Sequence, residues 1–501
     1  MTDAAPAFAA ADLGAESGRV IVGRLSGERL TLEETHRFAN TPVSLPGGIH
    51  WNLLSLFEQI VLGLGRAVAA HGSLAGVAVD TWGVDYGLLD HGHRLLGLPY
   101  HYRDPRTDGM VELADRRLGS ERRYARTGTQ TMPINTVFQL LAERDAPALQ
   151  AAEHIALIPD LLGLWLTGEL ANESTIASTT GLLDARTGGW ARDVVAGLGL
   201  PQEIFQGATV EPGAALGTVR AELEGIAGLP VWNVAAHDTA SAFVAAPVSS
   251  PNCAILSSGT WSLLGVEVDA PVLDGRAAAF NLTNERGIDG SIRLLRNVMG
   301  LWLLQECRRD WSRLGIELDY AELEALASRP GDGEPLFDPD DPDLLARGDM
   351  PSRIARLCEA GGEQPPREPG QFVRAILISL ACKYKLVMRR LECVTGRRFE
   401  AIHVIGGGTR NRVLCQLAAD LTGLPVTAGP IEATALGNIL VQARAAGHLG
   451  SLSEMRELVS SSCALERYEP AAEGRAVAIY ERFLTVTGFT DPAHEPTLAQ
   501  L

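Results

Sequence analysis

A chain of 501 residues, 46% hydrophobic and 21% charged, has the composition of a compact globular protein, and its length exceeds what one core usually serves, so two or three domains are expected. Its 61 acidic against 43 basic residues leave a net charge of -18, which repels phosphate backbones and anionic membrane surfaces and argues against a nucleic-acid or membrane partner. No apolar run approaches the roughly 18 residues of a membrane span and the N-terminus lacks the basic region of a secretory signal, so a cytoplasmic protein is expected.

In chain order, the segment FAAADLGAESGRVIVGRL predicts a hairpin, with strands Phe8 to Leu13 and Arg19 to Leu25 around a small polar turn containing Gly14, Ser17 and Gly18. AGVAVDTWGVDYGLLD reads as strand pairs, and the stretch from Thr136 to Ala142 as an amphipathic helix. Residues 247–252, with Pro247 and Pro251 beside serines, form the expected linker. Past it, NCAILSSGTWSLLGVEV repeats the first hairpin, with strand Cys253 to Leu256, the turn 257–260 and strand Trp261 to Val268, as if the chain held two related halves. GLWLLQECRRDWSRLG and FVRAILISLACKYKLVMRRLECVTG predict helices, the second closed by Gly396. AIHVIGGGTRNRVLCQLAADLTGLP predicts a strand, a triple-glycine turn and a helix from about Asn411 that stops at Gly423 and Pro425, followed by a last helix, Glu432 to Ala446. The proline-broken stretch from Ser328 to Asp343 reads as a surface loop without calcium-binding spacing, and the tail 489–501 as mobile.

These alternating patterns give an α/β fold with an N-terminal domain at 1–246 and a C-terminal domain at 253–488. The seven cysteines show no CxxC spacing and sit among apolar neighbours, so they are expected reduced and buried. Lys383 and Lys385 are the only lysines and lie mid-helix, which excludes a GxxxxGK[ST] phosphate loop and a Lys-centred protein-kinase site. His91 and His93 read as solvated turn residues.

Chemistry concentrates in a few strings. The turns at 14–18 and 257–260 offer backbone N–H groups, small side chains and hydroxyls, which suits a polyphosphate held between two such turns; either turn taken singly reads more readily as an ordinary hairpin. Asp12, at the end of the first strand, reads either as a carboxylate beside phosphate through Mg2+ or as a hydrogen-bonded strand end. The glycines of IGGG let a flat nucleoside ring rest on the backbone, although a bare GGG is also a common turn. In VWNVAAHDTASAFVAAP, Asp238 is placed either as a base accepting the proton of a phosphorylated alcohol or as the N-cap of the following helix. Trp82 and Gly83 beside Asp80 and Asp85 present the aromatic faces and carboxylates that suit sugar hydroxyls, and Arg103, Asp104 and Arg106 read either the same way or as a helix-start charge cluster.

DLGAESGR, DTWGVD, YRDPRT, HDTASA, SSGTWSL, NVMGLWLLQ, IGGGTRN and GPIEATALGN, in that order from Asp12 to Asn438, resemble the FGGY carbohydrate kinases. The resemblance implies a two-domain, actin-like (ribonuclease-H-related) fold with ATP and sugar in an interdomain cleft, and transfer of the ATP γ-phosphate to the 1-hydroxyl of L-rhamnulose. On matching positions it makes Asp238 the general base, with Gly83, His237, Thr239 and Asn297 as sugar contacts beside Trp82 and Arg103. Ala15, Glu16, Ser17, Gly18 and Arg19 with Gly259 and Thr260 would meet the ATP phosphates, Gln305 and Gly406, Gly407 and Gly408 the nucleoside, and Asp12 the Mg2+. Glu16 departs from the small hydroxyl residue of the family pattern; it is expected to face solvent or pair with Arg19, or else to approach the metal. The alternatives are a kinase for L-fuculose or another ketose, which a ketose panel separates, and a non-catalytic ATP-binding protein, which has no use for an alcohol base. Monomer and homodimer stay equally open.

Overall fold

A computed structural model describes residues 5–328, 335–471 and 473–492. The strands used below are β1 (Ala7–Leu13), β2 (Ser17–Ser26), β3 (Arg29–Ala39), β4 (Gly76–Thr81), β5 (Tyr86–Leu89), β6 (His154–Leu157), β7 (Ala215–Thr218) and β8 (Pro230–Trp232). They continue with β9 (Cys253–Ser258), β10 (Trp261–Val268), β11 (Thr283–Arg286), β12 (Ile292–Met299), β13 (Ala401–Ile405), β14 (Val426–Ala428) and β15 (Glu466–Tyr468). The helices are α1 (Leu53–His71), α2 (Thr136–Ala142), α3 (Asp238–Val244), α4 (Trp302–Arg313), α5 (Pro369–Thr395), α6 (Arg412–Thr422), α7 (Ala433–Ala445), α8 (Leu452–Ser462) and α9 (Glu473–Thr487).

The chain forms two compact units. The first joins residues up to Pro247 with Glu267–Leu294 and Glu432–Cys463; the second holds Val248–Val266, Leu295–Ile431 and the chain from Ala464 on. The sheet of the first unit runs β3-β2-β1-β4-β8-β7. Its hairpin β1-β2 is antiparallel, while β1 and β4 are parallel in register, Asp12 opposite Asp80 and Leu13 opposite Thr81. Every residue of AFAAADL is buried, which suits a strand covered on both faces. In the second unit the strands run β12-β10-β9-β13-β14-β15, again with an antiparallel hairpin whose first strand lies parallel to a later one, β13. Both sheets thus hold an antiparallel hairpin whose first strand lies beside a later parallel strand, which the two hairpin strings suggested.

Several expectations are corrected. The first turn covers 14–16, because Ser17 and Gly18 already pair in β2. DTWGVDYGLL does not form a strand pair: β4 belongs to the main sheet and β5 pairs with β6. Helix α2 is not amphipathic, since six of its seven residues are buried on all sides. The helix after Glu432 is followed by two more, α8 and α9. The sequence reading passed over α1, a 19-residue helix long and apolar enough by length and composition to cross a membrane. Leu53, Leu56, Ile60, Leu64 and Ala67 line one face, at helical spacing, and the helix packs on β2 and β3. In the expected surface loop, residues 329–334 lie outside the described set, but Leu336 and Phe337 are fully buried. Of the expected mobile tail, 493–501 lie outside the described residues, whereas Phe489 packs against the core around Phe483, the two rings tilted at 40° with centroids 6.2 Å apart. All seven cysteines are free; Cys307, Cys358, Cys382 and Cys415 are buried and Cys253, Cys393 and Cys463 only half-buried.

Candidate functional site

In the first unit, the parallel register of β1 and β4 brings Asp12 and Asp80 side by side at the C-terminal ends of their strands, where α/β sheets usually place their ligands. The chain beyond β8 extends along β4, with Thr81 N–H donating to the Ala236 carbonyl at 2.9 Å and a bridge between Thr81 and His237. Asp238 follows at once as the first residue of α3. His237, not Asp238, occupies the N-cap.

Asp238 keeps 28% of its side-chain exposure, and its described contacts converge on one oxygen. Thr239 donates to Oδ1 from its backbone N–H at 2.5 Å and from Oγ1 at 3.1 Å, and His237 Nε2 lies 3.4 Å from the same atom. Burial raises the Asp238 carboxyl above its ordinary value; His237 opposes the shift and Asp12 adds to it. Asp80 is buried completely, and its Oδ2 accepts from Asn438 Nδ2 at 2.6 Å while Oδ1 is without a partner. Burial, then the charge of Asp12, pushes Asp80 well upward.

Arg19 returns from β2 onto Asp12, its Nε and Nη2 both 2.8 Å from Oδ2, and its Nη1 reaches Glu432 at 3.0 Å. Burial works against the Arg19 charge, and the carboxylates of Asp12 and Glu432 more than restore it. Arg19 is thus spent on Asp12 and Glu432, and half-buried Glu16 stands in a turn whose Gly14 and Glu16 carbonyls accept from Asn40. Ala15 shares that turn.

Trp82 and Gly83 follow β4. The Trp82 ring is buried against Trp51 at 4.0 Å between centroids, and both indole N–H groups donate to Asp85 Oδ2, at 2.9 and 2.6 Å. Asp85 therefore locks an aromatic pair, and the Trp82 N–H is committed inside the protein. Arg103 is 9% exposed over the Tyr102 ring, while Asp104 caps the short 105–107 helix by accepting from Arg106 N–H at 3.0 Å.

The second unit carries the remaining candidates. The β9-β10 turn is closed by Gly259 N–H donating to the Trp261 carbonyl, and the Gly259 and Thr260 carbonyls accept from Leu301, Gly300 and Trp302 at the start of α4, the helix that carries Gln305. Asn297 stands half-buried on β12. Gly406 to Gly408 follow β13. Gly406 has φ +86°, and a β-carbon on Gly408 would lie 2.0 Å from Ser258 Oγ, so two of these glycines answer to the fold. Gly407 faces open space and is the one a flat ring could rest on. Among the described residues no group of three or more His, Cys, Asp or Glu side chains is arranged to hold a metal ion.

Family models for the N-terminal and C-terminal domains of the FGGY carbohydrate kinases match residues 8–245 and 254–446. The chain belongs to the FGGY family of carbohydrate kinases. It is 42% identical over 482 residues to a rhamnulokinase of Bacteroides thetaiotaomicron, covering 95% of this chain and 98% of that one, and 37% identical to a rhamnulokinase of Bacillus subtilis, covering 94% and 97%. Among solved structures it resembles a xylulose kinase from Lactobacillus acidophilus (TM-score 0.77, 17% identity, 95% and 96% covered) and the glycerol kinase of Plasmodium falciparum (0.76, 15%, 97% and 99%). An FGGY kinase has the two-domain actin-like fold, and the hairpin beside a parallel strand, present in both sheets, is its trace in this chain. Sequence reasoning passed over Glu285 and Arg293, and read Asp80 toward sugar hydroxyls rather than as the neighbour of Asp12. Asp80 carried a signal, its polar side chain closing an apolar run, but its partner Asp12 is set by strand register rather than by local sequence.

Proposed function

We propose that the chain transfers the γ-phosphoryl group of ATP to the 1-hydroxyl of L-rhamnulose, giving L-rhamnulose 1-phosphate and ADP without a phosphoenzyme. The observation that carries the reading is Asp238: with its described donors on Oδ1, Oδ2 is the oxygen that accepts the hydroxyl proton as the bond from O1 to phosphorus forms. A protein that only binds nucleotide needs no such base, and the curated rhamnulokinase relatives supply the ketose.

Gly83, His237, Thr239 and Asn297 are assigned to the sugar, with Trp82 and Arg103 shaping the wall around it. Ala15 to Arg19 with Gly259 and Thr260 are assigned to the phosphates, and Gln305 with Gly406 to Gly408 to the nucleoside. Asp12 and Asp80 would hold Mg2+: Arg19 engages only one Asp12 oxygen, Asp80 Oδ1 has no partner, and this cation takes one or two carboxylates beside substrate phosphates. When bound, it neutralises charge on the phosphates being transferred.

The test is a coupled ADP-release assay with L-rhamnulose, L-fuculose and other ketoses. The highest kcat/KM is expected for L-rhamnulose, and a clear preference for another ketose replaces the substrate. Asp238→Asn should lower kcat by at least about 10²- to 10⁴-fold with sugar binding retained; near-normal turnover refutes the base.

A further inference from the structure

A buried line of side chains in the first unit ends on Asp238. Glu285 on β11, Arg293 on β12 and His237 are 4, 0 and 6% exposed. Arg293 Nη2 lies 3.0 Å from Glu285 Oε2 and 3.2 Å from His237 Nδ1, the second contact with hydrogen-bond geometry. The other ring nitrogen, Nε2, faces Asp238 Oδ1 at 3.4 Å. A guanidinium has only donors, so Nδ1 is the acceptor and the ring proton stands on Nε2, the ring nitrogen on the carboxylate side. The opposite tautomer, with Nδ1–H turned to Glu285 Oε2 at 3.2 Å, would set the Nε2 lone pair against Asp238 and an Arg293 N–H against a ring hydrogen.

We propose that Arg293, held by Glu285, is a positioning residue for the transfer reaction: it fixes the His237 proton on Nε2, and that N–H, together with Thr239, occupies Oδ1 of Asp238 and leaves Oδ2 to the sugar hydroxyl. The proposal rests on Asp238 being the base. It accounts for a guanidinium kept wholly out of water, an expensive placement, on the Phe243 ring at 5.5 Å. The other charged groups around the line are Asp12 and Asp80, which act on Asp238 from β1 and β4, and Glu173 and Glu267, which act on Arg293.

Histidine-selective 15N NMR of the full chain, with the His237 signal identified by its loss in His237→Asn, reads the tautomer without substrate. A proton on Nε2 and a bare Nδ1 are expected; a proton on Nδ1 overturns the proposal. Arg293→Lys keeps the charge and loses the planar donor. It should lower kcat about 10- to 100-fold, the worth of one hydrogen bond to a charged group, and leave the KM for ATP unchanged. The acid limb of kcat/KM should move up, because the ionised base loses a donor. In a His237→Asn background the same substitution should change neither quantity further. Equal penalties in both backgrounds assign Arg293 a merely structural role and overturn the proposal. Absence of L-rhamnulose turnover by the parent enzyme would instead strike the substrate reading, and the tautomer measurement would still decide this one.

Discussion

Gly437 of α7 lies so close to Ser241 of α3 that a β-carbon at 437 would sit 1.7 Å from the Ser241 carbonyl oxygen. The two helices meet backbone to backbone, and α3 begins with Asp238. Gly437→Ala must push α3 or α7 aside, because backbone cannot step away as a flexible side chain can. A loss of at least about 1–3 kcal/mol is expected, read as a lower midpoint in chemical unfolding, together with weaker sugar binding. Unchanged stability would mean that the helices separate freely.

The proton balance of the base sets a second expectation. Burial holds the Asp238 carboxyl above the ordinary carboxylate range, with His237 opposing and Asp12 reinforcing. A base is lost when protonated, so kcat/KM should fall on acidification with a limb above the usual aspartate value. Asp12→Asn removes a like charge and should move that limb to lower pH, while raising the Mg2+ concentration needed for half-maximal rate. A limb that stays in place would separate Asp12 from the base.

Asp85 gives a pH dependence of stability rather than of rate. Burial lifts its carboxyl to about 6, with the hydrogen bonds from Gln139, Trp51 and Trp82 acting the other way. A folded value above the unfolded one means that its contribution is complete below the unfolded value, near 4, and is lost as pH rises through about 6. The stability difference between the parent and Asp85→Asn should therefore shrink by on the order of 2–3 kcal/mol from pH 4 to pH 7. Parallel stability curves would contradict the assignment.

Lys383 predicts the opposite slope. Its buried ammonium lies 2.7 Å from Asp338 and 3.2 Å from Asp340, with the Phe489 ring 4.3 Å away. Burial alone would raise Asp340, but Lys383 and then Arg296 hold it below its ordinary value. A depressed folded value contributes stability above the unfolded one and loses it as pH falls through the folded one. Lys383→Met takes the ammonium from Asp338 and leaves Asp340 with Arg296 alone, and should cost about 3–5 kcal/mol at neutral pH, with a smaller deficit in acid. Thermal unfolding at pH 7 and pH 3 measures both.

What was legible in the sequence is what local chemistry dictates. The hairpins announced themselves by small polar turns between apolar strands, α5 by Gly396 at its end, where the residue is left-handed, and α6 by Asn411, whose side chain accepts from Leu414 N–H as an N-cap. The strings around Asp238 and the three glycines were visible for the same reason. Hidden were the features made by distant partners. Asp80 owes its place to register with Asp12, Arg293 reaches a histidine 56 residues away, and the prolines near Asp338 looked like surface because nothing local discloses Lys383. Helix α1 escaped because its buried stripe is embedded in a sequence apolar nearly all round.

The first unit draws on three separate stretches of the chain, and this has a consequence for synthesis. Helix α7, which packs on β1, β4 and α3, leaves the ribosome long after the strands it covers. Until then one face of β1 and β4, Asp80 included, has no cover, and Asn438 is not there to bind it. A nascent chain stopped after Pro247 would expose that apolar face to chaperones, and a gene cut at that point would encode an aggregation-prone fragment instead of a sugar-binding module.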